Sequence, residues 1–468
     1  MKENIFELYS CMPSFLQNVA VSVEGWRIHR RRFGDGFEGR MSETVGRLEG
    51  DEQDIHEFKK ERLSAHLRAA SESEFWRQRF QKYGVDPNGD DPSHELQKLP
   101  CLRKSEFKER PSKILPAGFD TNNLLDRRTS GTTGSGLQFW QTFGSRREQF
   151  AIWWRYRRWH GLDRDTWCGY FGGRRVVSVE QSQPPFWRYD IPGKQVIFSN
   201  YHIGPDTSED YLETIRRWDL PWLHGYPSSI SLLAQLMLER NLSAPESVRI
   251  ITTGAENLLD SQRETIRKAF KCEVREHYGL AESVANISEC EYGRLHVDED
   301  FSGVEFVPVN SETDQYRIVG TNWSNPAFPL FRYDTGDIAT LSDEEECPCG
   351  RLGRIVERIE GRREDYVVLP SGARIGRLDH IFKDMVSVRS AQIYQPSRSR
   401  VVLRIVEGEA YDEESEAKVL REARKRLGEE IDIDIEYRDQ IPTTDSGKLK
   451  FVVSDIESMQ LEEKTGIS

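Results

Sequence analysis

Between about residue 145 and residue 280, segments with helical period alternate with short extended ones, and this alternation restricts the chain to few folds. "REQFAIWWRYRRWHGL" has helical spacing, and "TWCGYFGG" reads as a strand running into a turn. "EDYLETIRRW" is helical, "PWLHGYP" extended, "SSISLLAQLMLERN" helical and "VRIITTGAE" a strand. "DSQRETIRKAF" opens on an Asp cap, and "KCEVREHYG" is again extended. The pattern predicts an α/β domain with a mostly parallel sheet, whose ligands sit outside the carboxyl ends of its strands. The first ~120 residues read as helices, as in "EFKKERLSAHLRAASESEFWRQRF", closed by Pro-punctuated loops.

After about Gly361 the texture changes. "VVLRIV" is a strand, and "DEESEAKVLREARKRLGEE" is a helix with acids in its first turn, bases late and Gly428 near its end. "IDIDIEY" alternates like a half-buried strand. With 468 residues the chain is long for a single core. It is expected to divide within "RIEGRREDYVVLPSG" into residues 1–361 and a small α+β unit, residues 362–468, joined by a hinge.

The net charge of −13 disfavours a general nucleic-acid binder, and the basic stretch "RIHRRRFGDGFEGR" reads as a solvated face among acidic neighbours. No apolar run reaches the length of a membrane span, and "MKENIFELYS" has neither a signal-peptide core nor a transit peptide's composition, so a cytoplasmic, soluble protein is expected. Seven cysteines, an odd number, argue against a disulfide framework.

Chemistry concentrates first in "DRRTSGTTGSGLQFW". Eight consecutive residues, Thr129 to Gly136, are only Ser, Thr or Gly, and a strand-like aromatic run follows at once. Glycines let backbone N–H groups turn toward an anion, and hydroxyls add donors without bulk. It is not the P-loop of common NTPases, since no Gly-Lys-Ser/Thr ends it. A tight surface turn is the competing reading of this stretch taken alone. Four further clusters follow in order: "HYGLAES" with Glu282, "FRYDTGDIA" with Asp337, "EGRREDYVVLPSGARI" with Arg362, Asp365 and Gly372, and "IPTTDSGKLKF" with Lys448. Each has an ordinary surface or turn reading by itself; five in this order do not.

Their order and content resemble the adenylate-forming superfamily of acyl-CoA synthetases, over roughly residues 120 to 455. "HGYPSSI", "TTGAENL" and "CPCGR" resemble its phenylacetate–CoA ligase and CapK-type branch. The resemblance implies a large adenylate-forming domain and a small mobile one. It makes Thr129, Ser130, Gly131, Thr132, Thr133 and Gly134 part of a loop for the ATP β- and γ-phosphates. Gly254, Ala255 and Glu256, with Tyr278 and Gly279, would form the adenine and acyl-adenylate pocket. Glu282 matches the Mg²⁺ ligand, Asp337 and Arg362 match ribose-binding groups, Asp365 the hinge, and Lys448 the catalytic lysine. Gly372 would leave room for the pantetheine arm of coenzyme A. A carboxylate can accept both ribose hydroxyl protons, and Mg²⁺ with a mobile cation suits charge growing on phosphate.

Two departures stand out. Many relatives end the phosphate loop with Pro-Lys, whereas this one ends Gly136-Leu137, so one cation is either missing or replaced by Arg127, Arg128 or Arg174. The hinge lacks the lysine that often follows the aspartate. Cys290, His296, Cys347 and Cys349 are Zn²⁺ ligand types at unusual spacing, readable as free thiols from spacing alone. The resemblance favours a structural Zn²⁺. Trp222, His224 and Tyr226 are expected near the acyl pocket, with Trp222 and Tyr226 equally readable as core. Aromatic enrichment favours an aryl or arylalkyl acid. The leading expectation is a carboxylate–CoA ligase using ATP and Mg²⁺ on a small-molecule acid. The alternatives are an adenylating enzyme passing its acyl group to an amine or carrier-protein thiol, and a catalytically inactive nucleotide-binding protein.

Overall fold

The computed structural model describes the chain except residues 1, 2, 49, 129–136, 257, 259, 310–313, 345, 360–366, 373, 376, 377, 383–387, 408–410, 440, 442–451 and 457–468. Helices dominate up to residue 97, as expected. Glu52–Ala70 is begun by a reciprocal cap in which Asp51 accepts from the Asp54 N–H and Asp54 from the Asp51 N–H.

A hairpin of β1 (Leu125–Arg128) and β2 (Gln138–Gln141) leads into helix Phe143–Trp159. Then come β3 (Cys168–Phe171), β4 (Trp187–Asp190), β5 (Gln195–Phe198), β6 (Trp222–Gly225), β7 (Ile250–Gly254) and β8 (Glu273–Gly279). β9 (Asn286–Glu289), β10 (Leu295–Val297), β11 (Ser302–Pro308), β12 (Gln315–Asn322), β13 (Leu330–Leu341) and β14 (Ile355–Ile359) complete one twelve-stranded sheet among the described residues. Its order is β11-β12-β13-β14-β10-β9-β8-β7-β6-β3-β5-β4.

The expected parallel sheet is present only as the block β5-β3-β6-β7-β8, where helices Ser208–Arg217, Pro227–Glu239 and Asp260–Phe270 make the crossovers. Every other pairing is antiparallel, seven of eleven, so the sheet as a whole is largely antiparallel. The reason is connection length. β8 to β9 and β9 to β10 are joined by a few residues each, too short for a crossover helix, and such strands must turn back on themselves.

The parallel block is buried on both faces. Leu223, Ile251 and Val274 point into the three crossover helices. Their neighbours point the other way, and Trp222 packs with Phe150 and Trp154 of helix Phe143–Trp159. By the same two-residue period His224, Thr252 and His277 share that second face. Edge strand β4 is covered by helix Ser14–Phe33: Ser22 Oγ donates to the Tyr189 carbonyl, and Asn18 Oδ1 accepts from the Tyr189 N–H. The approach requires Gly25, because a Cβ there would lie 1.9 Å from Asp190 Oδ1.

A two-stranded ribbon of β15 (Val367–Val368) and β16 (Arg374–Ile375) precedes the C-terminal sheet. That sheet contains β17 (Val388–Ser397), β18 (Arg400–Glu407), β19 (Asp432–Tyr437) and β20 (Val452–Ser454), in the order β19-β18-β17-β20. Helix Glu413–Leu427 bridges β18 to its parallel neighbour β19, capped by Asp412 and ended by Gly428 at φ +80°. Val419, Ala423 and Leu427 close the core over Ile393, Leu403 and Ile405. The expected boundary at residues 361 and 362 lies outside the described residues.

Candidate functional site

The expected nucleotide-binding residues gather where β7 and β8 end. β7 closes on Gly254, and the chain turns at Ala255 with φ +66° into Glu256. A Cβ on Gly254 would press on the His277 carbonyl at 3.2 Å, so a glycine lets β7 and β8 run together at their ends. At the end of β8, Tyr278 Oη donates to Asp337 Oδ2 at 2.8 Å. Asp337 lies on β13 and is 7 % exposed. Its N–H donates to Thr335 Oγ1, whose hydroxyl donates to the Ile318 carbonyl, so backbone and side chain are both held.

Gly279 is also sterically required. A Cβ there would meet Asn286 Oδ1 at 2.8 Å and His277 Cε1 at 2.9 Å, with Trp153 Nε1 at 3.4 Å. Glu282 sits in the turn after β8, next to Ser283 at φ +61°. The Glu282 carbonyl accepts from Asn322 Nδ2 at 2.9 Å, and the residue is 8 % exposed. A mostly buried carboxylate tied down by its backbone is a fitting ligand for a hard cation. Thr129–Gly136, Arg362, Asp365 and Lys448 lie outside the described residues. Gly372 occupies the turn between β15 and β16 at φ +88°, which by itself accounts for a glycine there.

On the face toward helix Phe143–Trp159, Trp222 is buried and its Nε1 donates to Thr252 Oγ1 at 2.7 Å. Tyr226 is buried too, and its N–H donates to the Phe171 carbonyl. His224 is half-buried. Its Nδ1 lies 2.9 Å from Thr252 Oγ1 and 3.1 Å from the Thr252 carbonyl, so Thr252 holds the ring at this nitrogen. Burial and then the charge of Arg157 push its pKa down to about 3, so the ring is neutral. Tyr170 stands 6.0 Å from it, ring to ring.

Sequence reasoning missed the other wall. Trp153 Nε1 donates to Asn286 Oδ1 at 3.0 Å, and His277 Nε2 approaches the same oxygen at 3.0 Å. Asn286 Nδ2 in turn donates to Asp298 Oδ2 at 2.6 Å. His277 stood in view within "EHYG", but nothing local marks Asn286 or Trp153 as its partners.

The four expected metal-ligand residues meet at one point. Cys290 directly follows β9, His296 lies on β10, and Cys347 and Cys349 belong to the loop before β14; their ligand atoms all lie within 4.8 Å of one another. Cys290 Sγ and Cys347 Sγ are 3.7 Å apart, and Cys349 Sγ is 3.4 Å from His296 Nε2. Tetrahedral Zn²⁺ at ordinary bond lengths has edges of roughly 3.5–3.8 Å, close to the two contacts above, so the donor set suits the ion. The Arg351 N–H points at Cys349 Sγ at 3.5 Å and would steady a thiolate.

Residues 367–455 match the model of the CapK C-terminal domain. Protein CapK of Staphylococcus aureus is 24 % identical over 458 residues, covering 96 % of this chain and 99 % of that protein. The phenylacetate-coenzyme A ligase of Thermus thermophilus is 29 % identical over 153 residues, 31 % of this chain and 34 % of that enzyme. Among solved structures, 2-hydroxyisobutyryl-CoA ligase with 2-HIB-AMP and CoA in its thioester-forming state superposes with a TM-score of 0.58 at 17 % identity, over 90 % of this chain and 94 % of that one. The chain is thus similar to protein CapK over nearly its whole length, its residues 367–455 match the CapK C-terminal domain, and it shares the fold of the superposed CoA ligase.

Proposed function

We propose that this protein is an ATP-dependent carboxylate–CoA ligase. An oxygen of the substrate carboxylate attacks the α-phosphorus of ATP and pyrophosphate leaves, giving acyl-AMP. The thiol of coenzyme A then loses its proton, its sulfur attacks the acyl carbonyl, and AMP leaves with the electrons of the acyl–oxygen bond. The observation that carries the reading is the Tyr278–Asp337 hydrogen bond at the strand ends, beside the Gly254–Ala255 turn. A buried, oriented carboxylate next to an open turn suits a ribose diol.

In this reading Thr129–Gly136 hold the β- and γ-phosphates, Asp337 and Arg362 the ribose, and Gly254–Glu256 with Gly279 the adenine and acyl end. Glu282 would hold Mg²⁺, which offsets phosphate charge when bound. Lys448 would meet charge developing at the α-phosphate. The small unit, residues 362–468, turns about Asp365 between the two half-reactions, bringing Gly372 toward the thiol. Cys290, His296, Cys347 and Cys349 hold one structural Zn²⁺, because four protein ligands leave no open position for chemistry.

The test is acid-dependent pyrophosphate release. Lys448→Ala should lower it by about 10² or more with melting temperature unchanged, and wild-type release from the variant would remove Lys448 from its role. Similarity to CapK runs the full length of the chain, whereas similarity to the CoA ligase sequence covers under a third of it. That contrast supports a second reading, in which an amine or carrier-protein thiol accepts the acyl group. Release that depends on the acid, without thioester appearing when CoA is supplied, would favour it.

A further inference from the structure

Arg32 and Arg146 gather at the Phe150 ring, with Arg127 close enough to act on both, and none has a carboxylate partner among the described residues. Arg146, in the first turn of helix Phe143–Trp159, is buried and holds its guanidinium 4.5 Å from the Phe150 ring centroid. Arg32, from the end of helix Ser14–Phe33, stands 4.4 Å from the same centroid, so the two cations lie within about 9 Å of each other. Arg127 lies on β1, two residues before the Ser/Thr/Gly stretch, and its buried Nε has no hydrogen-bond partner among the described residues.

The neighbours do not neutralise them. Arg146 Nη1 donates to a neutral oxygen, Gln149 Oε1, at 2.7 Å. Burial, then Arg127 and Arg32, disfavour the charge on Arg146; burial, then Arg174, opposes that on Arg32, with Arg127 and Arg157 adding to it and Tyr170 pulling the other way. No carboxylate among the described residues pairs with Arg32, Arg127 or Arg146. Arg174 differs, since Asp190 already meets it at 3.1 Å. Like charges gathered out of bulk water are unfavourable unless a ligand supplies the opposite charge.

The cluster's position says which part of the reaction it serves. Arg146 is 5.9 Å from the Trp153 ring, and Trp153 Nε1 would lie 3.4 Å from a Cβ on Gly279. Tyr170, beside Arg32, faces His224. We propose that Arg32, Arg127 and Arg146 receive a second anionic group on the acid, so that the substrate carries a carboxylate, sulfonate or phosphate besides the carboxylate that is activated. The proposal rests on the adenylation reading and narrows its substrate class to acidic acids. The same chemistry would suit the ATP triphosphate, and the test separates the two sources.

Pyrophosphate release is measured with phenylacetate and with its 4-carboxy, 4-sulfo and 4-phosphono derivatives, in the wild type and in Arg32→Gln and Arg146→Gln. The expected result is a preference of about 10²-fold in kcat/KM for a charged derivative, lost in both variants through the KM for the acid and not that for ATP. Equal turnover of phenylacetate, or a variant effect confined to the KM for ATP, would overturn the proposal and leave adenylation standing. Wild-type protein inactive on every acid would instead count against adenylation. A thermal readout then decides the proposal independently: ligand-free variants should melt at or above the wild type, and melting lower would assign these arginines to structure.

Discussion

Helix Phe143–Trp159 carries two buried arginines, Arg146 and Arg155, and their surroundings are opposite in kind. Arg155 donates to the Thr44 carbonyl at 2.6 Å, to Asp298 Oδ1 at 2.7 Å, and to Asp300 Oδ1 and Oδ2 at 2.8 and 2.9 Å. Burial works against its charge, but Asp300 and Asp298 outweigh that effect and hold its pKa above the ordinary arginine value. At Arg146 burial acts the same way, and the nearby charges are arginines that push further in the same direction. A buried arginine with its own carboxylates belongs to the fold. One without them is a place where the chain waits for a charge from outside.

The largest expected effect tests the first half of that contrast. Arg155→Met leaves buried Asp298 without its cation and Asp300 with only Arg47 at 3.5 Å, and should cost about 3–5 kcal/mol, read as a lower urea midpoint at unchanged slope. A loss under about 1 kcal/mol would break the comparison, since Arg155 would then be as dispensable to folding as Arg146. The cluster of Cys290, His296, Cys347 and Cys349 extends the idea from an anion to a cation. Three sulfurs and an imidazole nitrogen within 4.8 Å of one another suit a charge of the opposite sign. Purified protein should hold about one equivalent of zinc, and strong chelation or Cys290→Ser should lower the melting temperature by several degrees. Stable, metal-free protein would leave these residues as ordinary thiols.

A smaller effect comes from acid. His224 and His277 have pKa values pushed down to about 3, by burial first and then by Arg157. A histidine whose folded pKa lies below its unfolded value near 6.5 stabilises the fold above that pH. That contribution drains as pH falls from about 6.5 toward 3, because the unfolded chain binds protons that the folded one refuses. His277→Gln should therefore flatten the stability profile across this window. An unchanged slope would mean that other groups dominate acid unfolding. Least of all should Arg146→Met move the ligand-free midpoint, by no more than about 0.5 kcal/mol.

Much of the site was legible because its residues are local punctuation. Gly254 and Gly279 end strands whose pattern is plain, and Tyr278 and Glu282 sit four residues apart, at the end of β8 and in the turn after it. Asp412 and Gly428 bracket the C-terminal helix as capping chemistry demands. The cysteine and histidine set was visible as a list of ligand types but not as a site. Spacing along the chain says nothing about whether β9, β10 and the loop before β14 meet.

What the sequence determined by itself, then, was the run of crossover units and the motif residues at their ends, because helical and extended periods and turn chemistry act over a few residues. Tertiary structure decided the rest. It turned the second half of the sheet antiparallel, since short connections cannot cross over. It set Arg32 and Arg146 against one ring, that of Phe150, and it gave Arg155 carboxylates more than 140 residues away. Whether a buried charge is neutralised depends on neighbours only a few ångströms away in space, and distance along the chain carries no record of them.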